Sequence, residues 1–205
     1  MEIQSNQGQW RIEDRYPPDG MEEMSLDLGG ALSNIAGGTT NILPNGNFGP
    51  VYESSPLVED IWISGLPRLH VDVSTSTLGG QIYALMEDCS EAGDCIHIGH
   101  AIMDLRYHEG GSDEQTWIPI LETINAKMEF FAMDVQIEAG HTIRLSLAST
   151  GEDYLPASTS SVVTVQEGPG SNLILDIIDS DSKLLFDPPA CTHVVCEEWL
   201  NQTSI

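Results

Sequence analysis

Gln136-Ile-Glu-Ala-Gly-His-Thr-Ile-Arg-Leu-Ser-Leu-Ala-Ser149 is the stretch from which the rest of this 205-residue sequence is read. In its second half Ile143, Leu145 and Leu147 alternate with Thr142, Arg144 and Ser146, the two-residue period of a strand with one buried face. Upstream, Phe131, Met133, Val135 and Ile137 alternate with Ala132, Asp134, Gln136 and Glu138. Ala139-Gly140 lies between the two runs as a turn signal, so the segment predicts a β-hairpin of two amphipathic strands.

The same period recurs outward. Met24, Leu26 and Leu28 predict a first strand, stopped at Gly29-Gly30. Residues 33–50, rich in Gly, Asn, Thr and Pro, predict a long loop. Ile61 and Ile63 alternate with Trp62 and Ser64, and Leu69, Val71 and Val73 continue the pattern beyond Gly65-Leu66-Pro67, a bend that should break one long strand in two. Further strands are predicted at Gln81–Asp88, from Ile96 to Tyr107 (with Gly99, Ala101, Met103, Leu105 and Tyr107 on one face), at Val162–Val165 and, after a turn at 168–172, at Leu173–Ile178. Residues 118–126 read as irregular edge structure. About ten strands and no helix predict an all-β chain of two antiparallel sheets packed face to face. Its expected parts are an extended lead-in over 1–20, a sandwich over 21–180 and a tail over 181–205.

Seven basic against 32 acidic residues leave a net charge of −25. Such a surface repels phosphate backbones, which argues against nucleic acid as a partner. It suits either salty surroundings or a very soluble acidic domain. No apolar run approaches the ~20 residues of a membrane helix, so no membrane partner is expected. The first residues lack the basic start and apolar run of a secretory signal.

A resemblance joins these segments. Ile137-Glu-Ala-Gly-His-Thr-Ile-Arg-Leu resembles a Gly-His-x-Ile-Arg-Leu signature in the C-terminal domain of X-prolyl dipeptidyl peptidases, which also occurs in cocaine-esterase-like and α-amino-acid ester hydrolases. Ser54-Ser-Pro-Leu through Leu69-His-Val-Asp-Val-Ser74 is similar to that domain's second motif. Tyr16-Pro-Pro18 and Gly29-Gly30-Ala31-Leu32 stand where it begins. Gly99, Arg106 and Tyr107 match a third pattern, in which His108 replaces an Arg. The order of the motifs from Trp10 to Ile178 carries the resemblance more than any one of them. It implies a jelly-roll-like, galactose-binding-like sandwich without catalytic residues, with Gly65, Gly140, Arg106 and Arg144 in structural roles.

The candidate chemistry is sparse. No Gly-x-Ser-x-Gly elbow exists, and no βαβ alternation to carry one, so no catalytic residue of the hydrolase half can be placed. Cys89 and Cys95, and Cys191 and Cys196, form two close pairs. Local disulfides are favoured, with buried thiols and a four-cysteine zinc site as competing readings. Bridges would imply an oxidising, extracellular setting.

His70, His97, His100, His108, His141 and His193 are scattered and read as surface or hydrogen-bonded residues. His97-Ile-Gly-His100 suggests a metal pair, but positions three apart on a regular strand face opposite sides. Asp176, Asp179 and Asp181, with Asp187, are weak calcium candidates that read better as a solvated acidic face. Arg68, Arg106 and Arg144 should each pair with an acidic neighbour across a sheet. Trp10, Trp62, Trp117 and Trp199 read as core or edge packing. Asn201-Gln-Thr203 reads as a glycan acceptor.

No cofactor is expected. By the resemblance, the partner is an α/β-hydrolase catalytic domain, on which the sandwich would pack and whose active site it would help wall. Self-association through the same apolar patch is the competing partner. The competing function is a stand-alone carbohydrate- or calcium-binding jelly roll.

Overall fold

The computed structural model describes residues 2–29, 32–33, 40–42, 49–109, 114–151, 153–157, 161–179 and 185–186. A four-stranded antiparallel sheet has the order β10 (Cys95–Asp104), β9 (Gln81–Cys89), β13 (Thr142–Ala148), β6 (Val51–Glu53). The facing sheet has nine strands lying in four lines. β11 (Ile124–Glu129) and β12 (Met133–Ile137) form the first, and β7 (Ile61–Gly65) and β8 (Arg68–Thr75) the second. β14 (Val163–Gln166) and β15 (Gly168–Ile178) form the third, and β3 (Glu22–Leu28) and β5 (Thr40–Ile42) the fourth, with β4 (Leu32–Ser33) paired back on β3. All pairings are antiparallel, and four lines against four strands make the face-to-face sandwich that the patterning predicts, in the jelly-roll-like form that the resemblance implies.

The core is the meeting of the two inner faces. Leu69, Val71 and Val73 from β8, and Leu173 and Leu175 from β15, meet Ile82, Ala84 and Met86 from β9 and Ile143, Leu145 and Leu147 from β13, all fully buried. Truncating one such leucine to alanine should cost about 2–5 kcal/mol.

The predicted bend is where expected: β7 and β8 both lie along β15, with Ile63 opposite Ile177 and Leu69 opposite Leu173. Gly65 occupies the break because a Cβ there would come within 2.9 Å of Asp176 Oδ2.

Several expectations are corrected, beginning with the loop over 33–50, which contains β5 (Thr40–Ile42) paired with β14. The segment around Gly140 is not a hairpin: β12 pairs with β7, whereas β13 pairs with β9 and β6 in the other sheet. The turn itself is real, with Gly140 at φ 87° and the His141 N–H donating to the Glu138 carbonyl at 3.2 Å. It carries the chain across the core, so that its two strands lie in opposite sheets rather than side by side.

Of residues 118–126, expected as irregular edge structure, 118–123 are irregular, but 124–126 belong to a regular edge strand, β11, on β8. Phe131 leaves the apolar series: the line breaks after β11, Phe130 N–H donates to the Pro67 carbonyl at 2.8 Å and its ring is buried, while Phe131 is 63% exposed. Residues 168–172 likewise join the strand, through a register shift between Gly168 and Asn172.

The lead-in is more structured than an extended strap. β1 (Glu2–Gln4), β2 (Trp10–Ile12) and β16 (Leu185–Phe186) form a third, three-stranded sheet. A cis Tyr16–Pro17 bond follows, and the Tyr16 hydroxyl donates to the Met133 carbonyl at 2.6 Å.

Candidate functional site

The most elaborated polar feature outside the core is at the edge of the four-stranded sheet, on β10. Here the strand is irregular: pairing with β9 shifts register between His97 and Gly99. At the shift Gly99 leaves room for the end of the Met133 side chain, which a Cβ there would displace. The bulge undoes the two-residue alternation, so His97 and His100 share a face, with His100 Nδ1 3.2 Å from His97 Nε2. The expectation that they point apart held only for a regular strand.

His100 sits among aromatic rings. Phe131 meets it edge-on with centroids 5.2 Å apart, Tyr83 lies at 5.9 Å, and the Tyr154 hydroxyl is 2.8 Å from Nε2. Burial, then the nearby charge of His97, holds the His100 pKa below its ordinary value, with Asp153 acting the other way.

A second feature is apolar and lies at one end of the sandwich. Leu121 N–H donates to the Thr75 carbonyl at 2.8 Å, and Ser76 N–H to the Val162 carbonyl at 3.0 Å, so three chain segments converge there. They expose Leu78, Ile120, Leu121 and Val162, and neighbouring Trp117 is 69% exposed. Leu121 is 75% exposed at φ 63°, a left-handed conformation uncommon for a side chain of its kind. Trp117 is therefore not packed in core or edge as expected, whereas Trp62 is buried.

The remaining candidates are dispersed. Cys89 and Cys95 are bridged, and they face each other across the β9–β10 ladder. Cys191, Cys196, His193, Asp181, Asp187, Trp199 and Asn201 lie outside the described residues. Asp176 is ion-paired with Arg68 at 2.8 Å, and Arg68 also reaches Glu23 at 2.9 Å. Asp179 is exposed in a groove of about 700 Å³ that Glu22, Glu23, Glu59 and Asp60 also line.

Arg144 pairs with Glu53, directly opposite it on β6. Arg106 differs from expectation. It sits in a single 3-10 turn, Leu105–Tyr107, and pairs locally with Asp104, whose side chain also accepts from the Arg106 backbone N–H.

His141 Nδ1 is 2.7 Å from Asp88, and His108 Nδ1 is 2.9 Å from the Leu105 carbonyl. None of these imidazole contacts is to a serine hydroxyl. The sequence gives no sign of the buried role of Arg11, which is 1% exposed on β2 of the lead-in and bonds Glu13, Ser64 and Asp134.

Comparisons with known proteins agree with this architecture. Residues 1–184 match the family described as the X-Pro dipeptidyl-peptidase C-terminal non-catalytic domain. No curated protein matches the chain by sequence. Among solved structures, it superposes on a CocE/NonD family hydrolase from Staphylococcus aureus with a TM-score of 0.74 at 12% identity, covering 86% of this chain and 41% of that one. An aminopeptidase from a marine sediment archaeon, Thaumarchaeota archaeon, gives 0.70 at 13% identity, covering 86% and 40%. An α-amino acid ester hydrolase gives 0.55 at 14%, covering 86% and 36%. At these identities the likeness shows the fold. The chain spans about two-fifths of the length of the solved proteins it resembles.

Proposed function

Because the chain belongs to the X-Pro dipeptidyl-peptidase C-terminal non-catalytic domain family, we propose that it acts by packing on an α/β-hydrolase catalytic domain and walling that domain's active site. The observation that carries this reading is the family match over residues 1–184, which spans both sheets and the lead-in. The solved hydrolases of this fold are more than twice as long, which supports a catalytic portion as the occupant of the free surface.

The docking face is the apolar end formed by Leu78, Trp117, Ile120, Leu121 and Val162. On a chain of net charge −25, grouped exposed apolar side chains favour burial against a partner, and an exposed Trp is the residue type that most often anchors an interface.

The test is cross-linking of the tagged chain in its native cells, followed by a fluorophosphonate probe that labels active serine hydrolases. The label should appear on a polypeptide continuous with, or cross-linked to, the chain, and Leu121→Asp with Trp117→Asp should abolish the cross-link. Absence of labelled hydrolase in the cross-linked material, or an unchanged yield from the double variant, would overturn the reading.

A further inference from the structure

We propose that His97 and His100 form a two-histidine site for a divalent transition-metal ion of the zinc, nickel or copper kind. The site is independent of the docking face. Four observations converge on it. The first is separation: an ion about 2.0–2.1 Å from each of two imidazole nitrogens that are 3.2 Å apart sees them at an angle of about 100°, close to the tetrahedral value. The second is the bulge, which puts both rings on one side of the strand.

The third is the setting of His100. A neutral imidazole has one donor and one acceptor nitrogen. When Nε2 gives its hydrogen to the Tyr154 oxygen 2.8 Å away, the Nδ1 lone pair is left facing His97. Metal-binding histidines are commonly oriented in this way by a partner on the far nitrogen. Phe131, packed edge-on against the same ring, limits its rotation.

The fourth is charge. Asp153 acts electrostatically on the His100 ring, and the net charge of −25 draws cations to the surface. Imidazole donors suit zinc, copper and nickel rather than calcium or magnesium.

Among the described residues no group of three or more His, Cys, Asp or Glu side chains surrounds a common point. Water would therefore complete the coordination, and the affinity should be modest and dominated by the two rings.

The experiment is calorimetric titration of the full chain with nickel chloride, repeated with zinc chloride. Wild type should take up one ion at this site, with affinity falling at least tenfold in His97→Ala. Tyr154→Phe should fall between the two. His97 is exposed, so the variant should melt like wild type in chelator. His97→Gln, which keeps the volume, serves as the second variant. Any step carried by His193, Cys191 and Cys196 would persist in all variants and is subtracted. Equal binding by wild type, His97→Ala and His97→Gln, or no uptake by wild type, would overturn the site.

Discussion

Arg11 of the lead-in and Asp134 of β12 form a two-pronged ion pair: Nη1 donates to one carboxylate oxygen at 2.7 Å and Nη2 to the other at 2.5 Å. Asp134 also accepts from Trp62 Nε1 at 2.8 Å and from the Ser64 hydroxyl at 2.7 Å, and the guanidinium carbon lies 4.5 Å from the Trp62 ring centroid. Burial works against the charged guanidinium, but the bonds and charges of Asp134 and Glu13 outweigh it and hold its pKa above the ordinary value. The pair thus fastens β2 to β7 and β12.

Breaking that pair from one side strands a buried charge. Asp134→Ala should lower stability by about 3–5 kcal/mol in urea unfolding, because Arg11 loses its two-pronged partner and keeps only Glu13 and Ser64, while Trp62 and Ser64 lose their acceptor. Arg11→Met combined with Asp134→Leu should cost clearly less than the single change. A double variant as damaged as the single one would contradict the account of the latch.

The Cys89–Cys95 bridge closes a loop of only a few residues at the end of the β9–β10 hairpin. Its removal should cost about 2 kcal/mol, the amount that chain entropy assigns to so short a loop. Thermal melts of Cys89→Ala with Cys95→Ala should therefore fall modestly while the fold persists, as amide exchange protection in β13 would report.

Two pKa shifts set an acid-side dependence. Burial, followed by the charge of His97, depresses His100, so the unfolded chain takes up a proton first. The His100 contribution is present above about pH 6.5 and is lost as pH falls through the folded value. Burial tends to raise Asp104, but the bonds and charge of Arg106 prevail and depress it. Its contribution is present above about pH 3.9 and is lost as pH falls through its folded value, and partial exposure keeps it under about 1 kcal/mol. In an NMR titration, His97→Ala should move the His100 midpoint upward. A downward shift, or none, would refute the assigned cause.

How much of this was legible in the sequence follows from what alternation encodes. The period of two around Ile143–Leu147 and the Gly65–Pro67 bend report which residues face inward and where the strand breaks, and both agree with the structure. Alternation does not report which strand lies alongside, so the pattern around Gly140 predicts a hairpin where the turn crosses between sheets. The His97–His100 contact depends on a register shift between His97 and Gly99 that alternation does not report. Arg11 gave no signal because its burial comes from Asp134 and Ser64, more than fifty residues away in sequence. A break in alternation at Phe130-Phe131, with two adjacent aromatics, was the one available warning that β11 and β12 are separate.

The acidic surface gives a further expectation. If the charge is an adaptation to salt, screening of its self-repulsion should raise the urea midpoint steadily from low to molar sodium chloride. A flat response would leave the acidity a matter of solubility.

Turnover of an X-Pro-nitroanilide by the purified chain tests the central claim most directly. A non-catalytic domain should release no nitroaniline above the rate of a mock purification, and added serine-hydrolase inhibitor should change nothing. Sustained release that tracks the chain through repurification, and that disappears when one of its own side chains is replaced, would contradict it.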